Sequence, residues 1–460
     1  MRNLVIVVIL VAAAGCAGPQ RHRDDVVRRV EGRAGPLAAT GDARRLGPTM
    51  SVDDVVAVAL ANNQSLRAQL HSVDASFGQW VAAGAVANPE VELEAQFPVS
   101  DADEPTRIEG VVLQELNSIF ARGASRAAAN FELEQNKVRS TEAILALSAR
   151  AREAAWEYLA TRELLELRRT TREAADASWE VSTRLRAAGN VSRLEVAQRR
   201  AAREQARLDL RAVELAAVSA REQLNRIMGL YGADAADWEL DAELPDVPAE
   251  DPLPLDDLES IAIGASLGLE AQRLGLEALG ARGRIVAHRA WPHIAVGVFA
   301  EAESDTGLAA VGPALEISLP LWGQGRGALI AAEASLLEEQ ARYAGEAVDL
   351  RADVRMARER LAEAGERARF LRDVLVPLRE EITRHTLERY NAMHEGVFAL
   401  LNAKRAELDA RAQWIEAVGD YWVARTRVEL ILRGGGPRAA DARTTRVDTA
   451  PGPQIPREEH

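Results

Sequence analysis

Residues 87–97 read Ala87-Asn88-Pro89-Glu90-Val91-Glu92-Leu93-Glu94-Ala95-Gln96-Phe97. From there Val91, Leu93, Ala95, Phe97 and Val99 alternate with Glu90, Glu92, Glu94 and Gln96, so an extended chain carries one apolar and one acidic face. The residues before it, 66–87, have a helical pattern. The same junction occurs again where helical residues 269–290 run into Trp291-Pro292-His293-Ile294-Ala295-Val296. There Ile294, Val296, Val298 and Ala300 alternate with Ala295, Gly297 and Phe299. A second strand-like stretch follows each copy and ends in a glycine-containing turn. These stretches are 111–119 before Phe120-Ala121-Arg122-Gly123, and 314–321 before Trp322-Gly323-Gln324-Gly325. Leu315, Ile317, Leu319 and Leu321 alternate with Ala314, Glu316 and Ser318, whereas Val111, Val112 and Leu113 run consecutively and blur the first copy.

Beyond each strand pair lies a very long helical pattern, a short break and a returning helix. Residues 122–186 contain no proline, and at 1.5 Å per residue roughly 65 residues reach on the order of 100 Å. Residues 326–390 match this length, with Pro377 as the expected kink. Two tandem repeats are therefore expected. The first covers 49–240, with strands near 89–99 and 108–119 and helices near 122–186 and 192–229. The second covers 241–433, with strands near 293–302 and 313–321 and helices near 326–390 and 396–433. Helices of this length need lateral partners, as in coiled coils. Four alternating strands fit a half-buried sheet or a membrane barrel, and aromatics at Phe97, Phe120, Trp291, Phe299 and Trp322 sit where an interfacial girdle would lie. Four strands cannot close a transmembrane barrel, whose smallest members have about eight. A membrane reading therefore demands an oligomer, and three copies would supply twelve strands.

Composition agrees with an extended body. Of 460 residues 47% are hydrophobic but only 4% aromatic, which suits closely packed helices better than a wide core. Seventy acids against 56 bases give a net charge of −14, which disfavours a nucleic-acid partner. A single cysteine excludes an intramolecular disulfide and a cysteine metal cluster. That cysteine follows a short positive start and an apolar run, 4–11, too short to span a bilayer. Ala13-Ala14-Gly15-Cys16 resembles a bacterial lipobox, so residues 1–15 are expected to be a lipoprotein signal peptide and Cys16 the lipidated residue. Residues 16–48 read as an aperiodic tether and 434–460 as a disordered tail.

Taken in order, these features resemble the TolC family of outer-membrane efflux proteins over nearly all of 50–432. The resemblance rests on Ser51-Val52-Asp53-Asp54-Val55-Val56 with Ala59-Leu60-Ala61-Asn62-Asn63, and on the entries Ala87-Asn88-Pro89 and Ala290-Trp291-Pro292. Ile317-Ser318-Leu319-Pro320-Leu321, Arg389-Tyr390-Asn391-Ala392-Met393 and Gly396-Val397-Phe398-Ala399-Leu400-Leu401 complete it. It implies a mainly α fold with a small β part, in which long coiled-coil hairpins form a periplasmic α-barrel. Four strands per chain would contribute to a twelve-stranded barrel of a homotrimer in outer-membrane lipid. It further implies docking to a periplasmic adaptor and an inner-membrane transporter, of RND type in the heavy-metal and drug branch. The chain would be a lipid-anchored exit duct, with no cofactor, metal or catalytic site. A periplasmic adaptor lipoprotein is the alternative, although adaptors insert one hairpin in a β-rich chain.

The candidate functional residues are those that dock, gate and line. Ala187-Ala188-Gly189-Asn190-Val191-Ser192 matches the family's glycine-containing hairpin tip. Gly189 would supply the positive φ that reverses the chain, and Ser192 would cap the returning helix. The second tip, Asn391-Ala392-Met393-His394-Glu395-Gly396, departs from the pattern because the usual glycine falls near Met393. Gly189, Asn190, Ser192, Met393, His394 and Gly396 are thus the expected adaptor contacts. Positions that carry a gating carboxylate ring in some members match Ala399 and Asn402, so that ring does not carry over. His394, Glu395 and Asn402 remain as constriction candidates. Glu90, Glu92, Glu94 and Glu316 would face the lumen. Gly264-Ala265-Ser266-Leu267-Gly268 fits a nucleophile-elbow string but lies between helical stretches, and no other catalytic motif is present.

Overall fold

The computed structural model describes residues 20–34, 49–97, 107–251, 253–288, 291–303, 309–319 and 324–436. In chain order they form α1 (Gln20–Ala34), β1 (Thr49–Met50), α2 (Val52–Asn62), α3 (Gln64–Ala83), β2 (Glu90–Gln96), β3 (Arg107–Glu115), α4 (Asn117–Ala187) and α5 (Arg193–Met228). The second half holds β4 (Glu239–Leu240), α6 (Leu258–Ala265), α7 (Leu267–His288), β5 (His293–Glu303), β6 (Ala309–Ser318), α8 (Gln324–Phe370), α9 (Val376–Asn391) and α10 (Val397–Leu432). The fold is mainly α. The hairpins α4–α5 and α8–α10 carry a small four-stranded antiparallel sheet of order β2-β3-β5-β6, so the two strand pairs meet at β3 and β5.

Local chemistry sets the element ends. Ser51 and Asp54 form a reciprocal capping box that opens α2, and the Asn63 side chain caps α3 by accepting from the Leu66 amide. Gly229 closes α5 in the left-handed conformation, φ 69°. Seventy-one residues make α4 about 105 Å long without a break. Its counterpart is interrupted by a π-turn at Leu371–Leu375, where the Val376 amide donates to Leu371 O, immediately before Pro377. Pro377 has no amide hydrogen and its ring would strike the carbonyl of Asp373, so the regular α-helix is interrupted by a wider turn at the expected position.

Two cores hold the hairpins together at mid-height. One gathers Leu133, Ile144, Leu159, Leu224 and Trp238 under α2, α4, α5 and α7; the other gathers Val354, Leu361, Leu371, Tyr421 and Ile431 between α8, α10 and α6. Their polar atoms are satisfied: Trp238 Nε1 donates to Asn225 Oδ1 at 2.8 Å and the Tyr421 hydroxyl to Asp251 Oδ2 at 2.7 Å. Burying each such large side chain contributes about 1.5–3 kcal/mol.

Four expectations need correction. The strand expected near 108–119 ends at Glu115, because Asn117 joins the two repeats there: its Nδ2 donates to Pro292 O and its Oδ1 accepts from the Ile294 amide. The strand near 313–321 starts earlier, at Ala309, and its regular pairing ends at Ser318. Part of the 16–48 tether is a docked helix, α1. Val26 and Val30, one turn apart, are 0% exposed, while Arg23 pairs with Asp74, Arg29 with Glu134 at 2.6 Å and Lys137 with Asp25 at 3.2 Å. Arg33 donates to the Ala265 and Arg433 carbonyls at 2.8 and 3.2 Å. Val26, Val30 and the partly buried Ala34 pack against the body, and charges between them find partners from distant segments. The start of the 434–460 segment is packed as well, since Gly434 O accepts from the Leu267 amide at 2.9 Å.

Candidate functional site: sheet faces, hairpin tips and the contact between hairpins

Residues directly opposite in a sheet share a face, so the register sorts the strands into two surfaces. On one, Val91, Leu93, Ile108, Val112, Val296, Val298, Val311, Leu315 and Ile317 stand exposed, Leu93 at 77%. None of the described residues covers this apolar face. The other surface carries Glu90, Glu92, Glu94 and Glu316, as the alternation in β2 and β6 suggested. It adds acids that sequence reading missed: Glu109, Glu301 and Glu115, the last beside His293 at 3.5 Å. Glu94 lies opposite Glu109, and Glu109 opposite Glu301, so three carboxylates form one row across β2, β3 and β5. Arg107 Nε approaches Glu301 Oε1 at 3.1 Å and offsets part of that charge. On the same surface Phe299 faces Gly312, where a Cβ would meet the ring at 2.6 Å. Glycine is required at 312 for the ring to lie flat on the neighbouring strand.

At the far end, both hairpins turn in the same way. Gly189 and Met393 have φ values of 80° and 61°. The Asn190 amide donates to Leu185 O and the His394 amide to Arg389 O, each at 2.9 Å, so each helix ends in a Schellman closure. Met393 is 92% exposed. Beyond the turns the two tips differ. Ser192 and Glu195 form a capping box at the start of α5, whereas Gly396 gives α10 no side-chain cap. The Ser192 amide and hydroxyl, bonded to the Glu195 carboxylate, hold its pKa below the ordinary range.

Of the constriction candidates, His394 is exposed at the tip, and Glu395 pairs within its own hairpin with Arg389 at 3.2 Å. Asn402 sits apart from both. Its Oδ1 accepts from Arg199 Nη1 of α5 at 2.8 Å, and the same guanidinium lies over the Phe398 ring with a centroid distance of 4.4 Å. Arg168 of α4 also reaches across, to Asp409 of α10 at 3.3 Å. Among the described residues no cluster suits a metal ion and no helix is long and apolar enough to cross a membrane. The Ser266 hydroxyl accepts from the Leu269 amide at 3.2 Å, the role of a helix cap. Cys16, Trp322 and Leu321 lie outside the described residues.

This architecture has known counterparts. The chain is 24% identical over 395 residues to the cobalt-zinc-cadmium resistance protein CzcC of Cupriavidus metallidurans, covering 84% of this chain and 90% of that one. The outer membrane protein VceC of Vibrio cholerae superposes with a TM-score of 0.67 at 19% identity, over 84% of this chain and 96% of that one. The MtrE outer membrane channel of Neisseria gonorrhoeae, solved in an open state, gives 0.67 at 18% identity, over 84% and 89% of the two chains. These likenesses establish the TolC-like fold expected from the sequence. The family model for outer membrane efflux proteins matches residues 55–230 and 260–433, one stretch for each repeat. The chain therefore belongs to the outer membrane efflux protein family.

Proposed function

We propose that this protein is the exit channel of a tripartite efflux system, a homotrimer whose three sheets close a twelve-stranded barrel in the outer membrane. The observation that carries this reading is the sheet itself. One face is apolar and bare, the other acidic, at the end of hairpins about 100 Å long. Turning the apolar face to lipid and the acidic face to water satisfies both, and closing the barrel satisfies the edge strands β2 and β6. Such a duct performs no bond chemistry. It works by lowering the barrier to passage, and Glu90, Glu92, Glu94, Glu109, Glu301 and Glu316, repeated three times, favour cations over anions in the lumen.

The hairpin tips, with Gly189, Asn190, Ser192, Met393, His394 and Gly396, take the periplasmic adaptor, and through it an inner-membrane transporter of RND type. Lipidation of Cys16 adds an anchor beside the barrel. The name of the relative CzcC supports divalent metal cations as cargo, as does the acidic lumen. Purified full-length protein should be a trimer in detergent and should form cation-selective pores in planar bilayers. A strain lacking it should become sensitive to cobalt, zinc and cadmium. A water-soluble monomer without pore activity would overturn the proposal.

A further inference from the structure

Where α4, α5 and α10 meet, between the two hairpins and near their tips, a cavity of about 50 Å³ is lined by three arginines, Arg168, Arg199 and Arg405, and by Asp209 and Asp409. The carboxylates are already engaged. Asp409 is shared by Arg168 at 3.3 Å and Arg405 at 3.8 Å, and Asp209 accepts from the Gln205 amide at 2.7 Å. Arg199 has only the neutral Asn402 and the ring of Phe398, and its Nε is buried without a hydrogen-bond partner. Glu195, one turn back on α5, is held by the Ser192 amide at 2.8 Å. Burial and the neighbouring Arg405 both push the Arg199 pKa down, although Glu195 works against them. A guanidinium in this position lacks the anion that a bidentate fork is built to hold.

We propose that this crevice is a binding site for one small oxyanion, of the phosphate, sulfate or carboxylate class, held between Arg199 of α5 and Arg405 of α10. Its size decides the class. A single water needs about 10–15 Å³ of such space and drug-sized ligands about 300 Å³ or more, so a cavity of 50 Å³ admits an ion of a few heavy atoms. The bound anion turns the repulsion between the two arginines into a bridge, and so fastens the first hairpin to the second. If the tips form the entrance of a channel, which rests on the reading above, the anion is a clamp that opposes its widening.

The test uses full-length protein in detergent, with inorganic phosphate as the probe and sodium chloride of equal ionic strength as the reference. Phosphate should raise the melting temperature saturably and bind in calorimetry. Arg199→Gln should weaken that binding about tenfold or more, whereas Arg211→Gln, a surface arginine paired with Glu214, should leave it unchanged. Asn402→Asp places a carboxylate on Arg199 within the chain. This variant should melt higher without phosphate and lose its response to it. A response to phosphate no larger than to chloride, undiminished binding in Arg199→Gln, or a full phosphate response in Asn402→Asp would each overturn the site. None of these readouts depends on conduction, so their failure would leave the channel reading standing.

Discussion

Gly189 and Met393 hold the same left-handed backbone position in the two hairpin tips, with the same pair of hydrogen bonds around them, yet only one is glycine. A side-chain-bearing residue pays about 1–2 kcal/mol in that region, of which glycine's greater freedom in the unfolded chain returns part. Met393→Gly should therefore stabilise the second tip by about 0.5–1 kcal/mol, and Gly189→Val should destabilise the first by at least as much. Hydrogen exchange at 185–196 and 389–400 checks both. Faster exchange around Met393→Gly would contradict the assignment.

The docking of α1 should fail in acid. The Arg23 hydrogen bond holds the Asp74 carboxyl below its ordinary range, against a smaller opposing effect of burial. A carboxylate with a lowered folded-state pKa stabilises fully above its unfolded value near 3.9, and that stability is lost as pH falls through the folded value. Amide protection across 20–34 should hold at neutral pH and fall below about pH 4. Asp74→Asn should lower it by about 1 kcal/mol at pH 7 and flatten the acid transition. Protection in that variant unchanged at both pH values would rule out the pair as the fastener.

Gly312 and Phe299 form a second testable pair. Gly312→Val would drive a methyl into the ring and force Phe299 off the strand, at a cost of about 1–3 kcal/mol. Combining it with Phe299→Ala should recover most of the loss in melting temperature. A double variant as unstable as the sum of the singles would show that the two side chains act separately.

Glu109 separates stability from transport. It stands between Glu94 and Glu301, so Glu109→Gln removes like-charge repulsion on both sides and should stabilise the sheet by up to about 1 kcal/mol. The same change should reduce the cation-to-anion permeability ratio in planar bilayers. Glu301→Gln removes another carboxylate of the same row and should lower the ratio in the same direction. An unchanged ratio in both variants would remove the acidic face from the lumen.

The fold was legible because its signals are local. Val91 and Leu93 against Glu92 and Glu94 give the strand without any knowledge of its neighbours, and the two long helical patterns recur with the same strand pair before them. What escaped detection depends on distant partners. Glu109 becomes part of a row only through register with Glu94 and Glu301. Arg199 and Asn402 meet across 203 residues. In α1 the two buried valines are hidden among charges whose partners lie on α3 and α4. The turn at Met393 was visible as a departure from glycine, but the backbone's indifference to that departure was not.

The strand order β2-β3-β5-β6 has a consequence for the newly made chain. If the barrel closes from three copies as proposed, then in the lone subunit β2 and β6 are edge strands with no partner among the described residues, beside a bare apolar surface, the features that template indiscriminate strand addition. The same groups that make closure favourable make a lone subunit hazardous in water. Yield of this protein in the cell should therefore depend on how briefly the lone subunit exists, and overproduction beyond the capacity for assembly should give aggregates rich in intermolecular strand instead of soluble monomer.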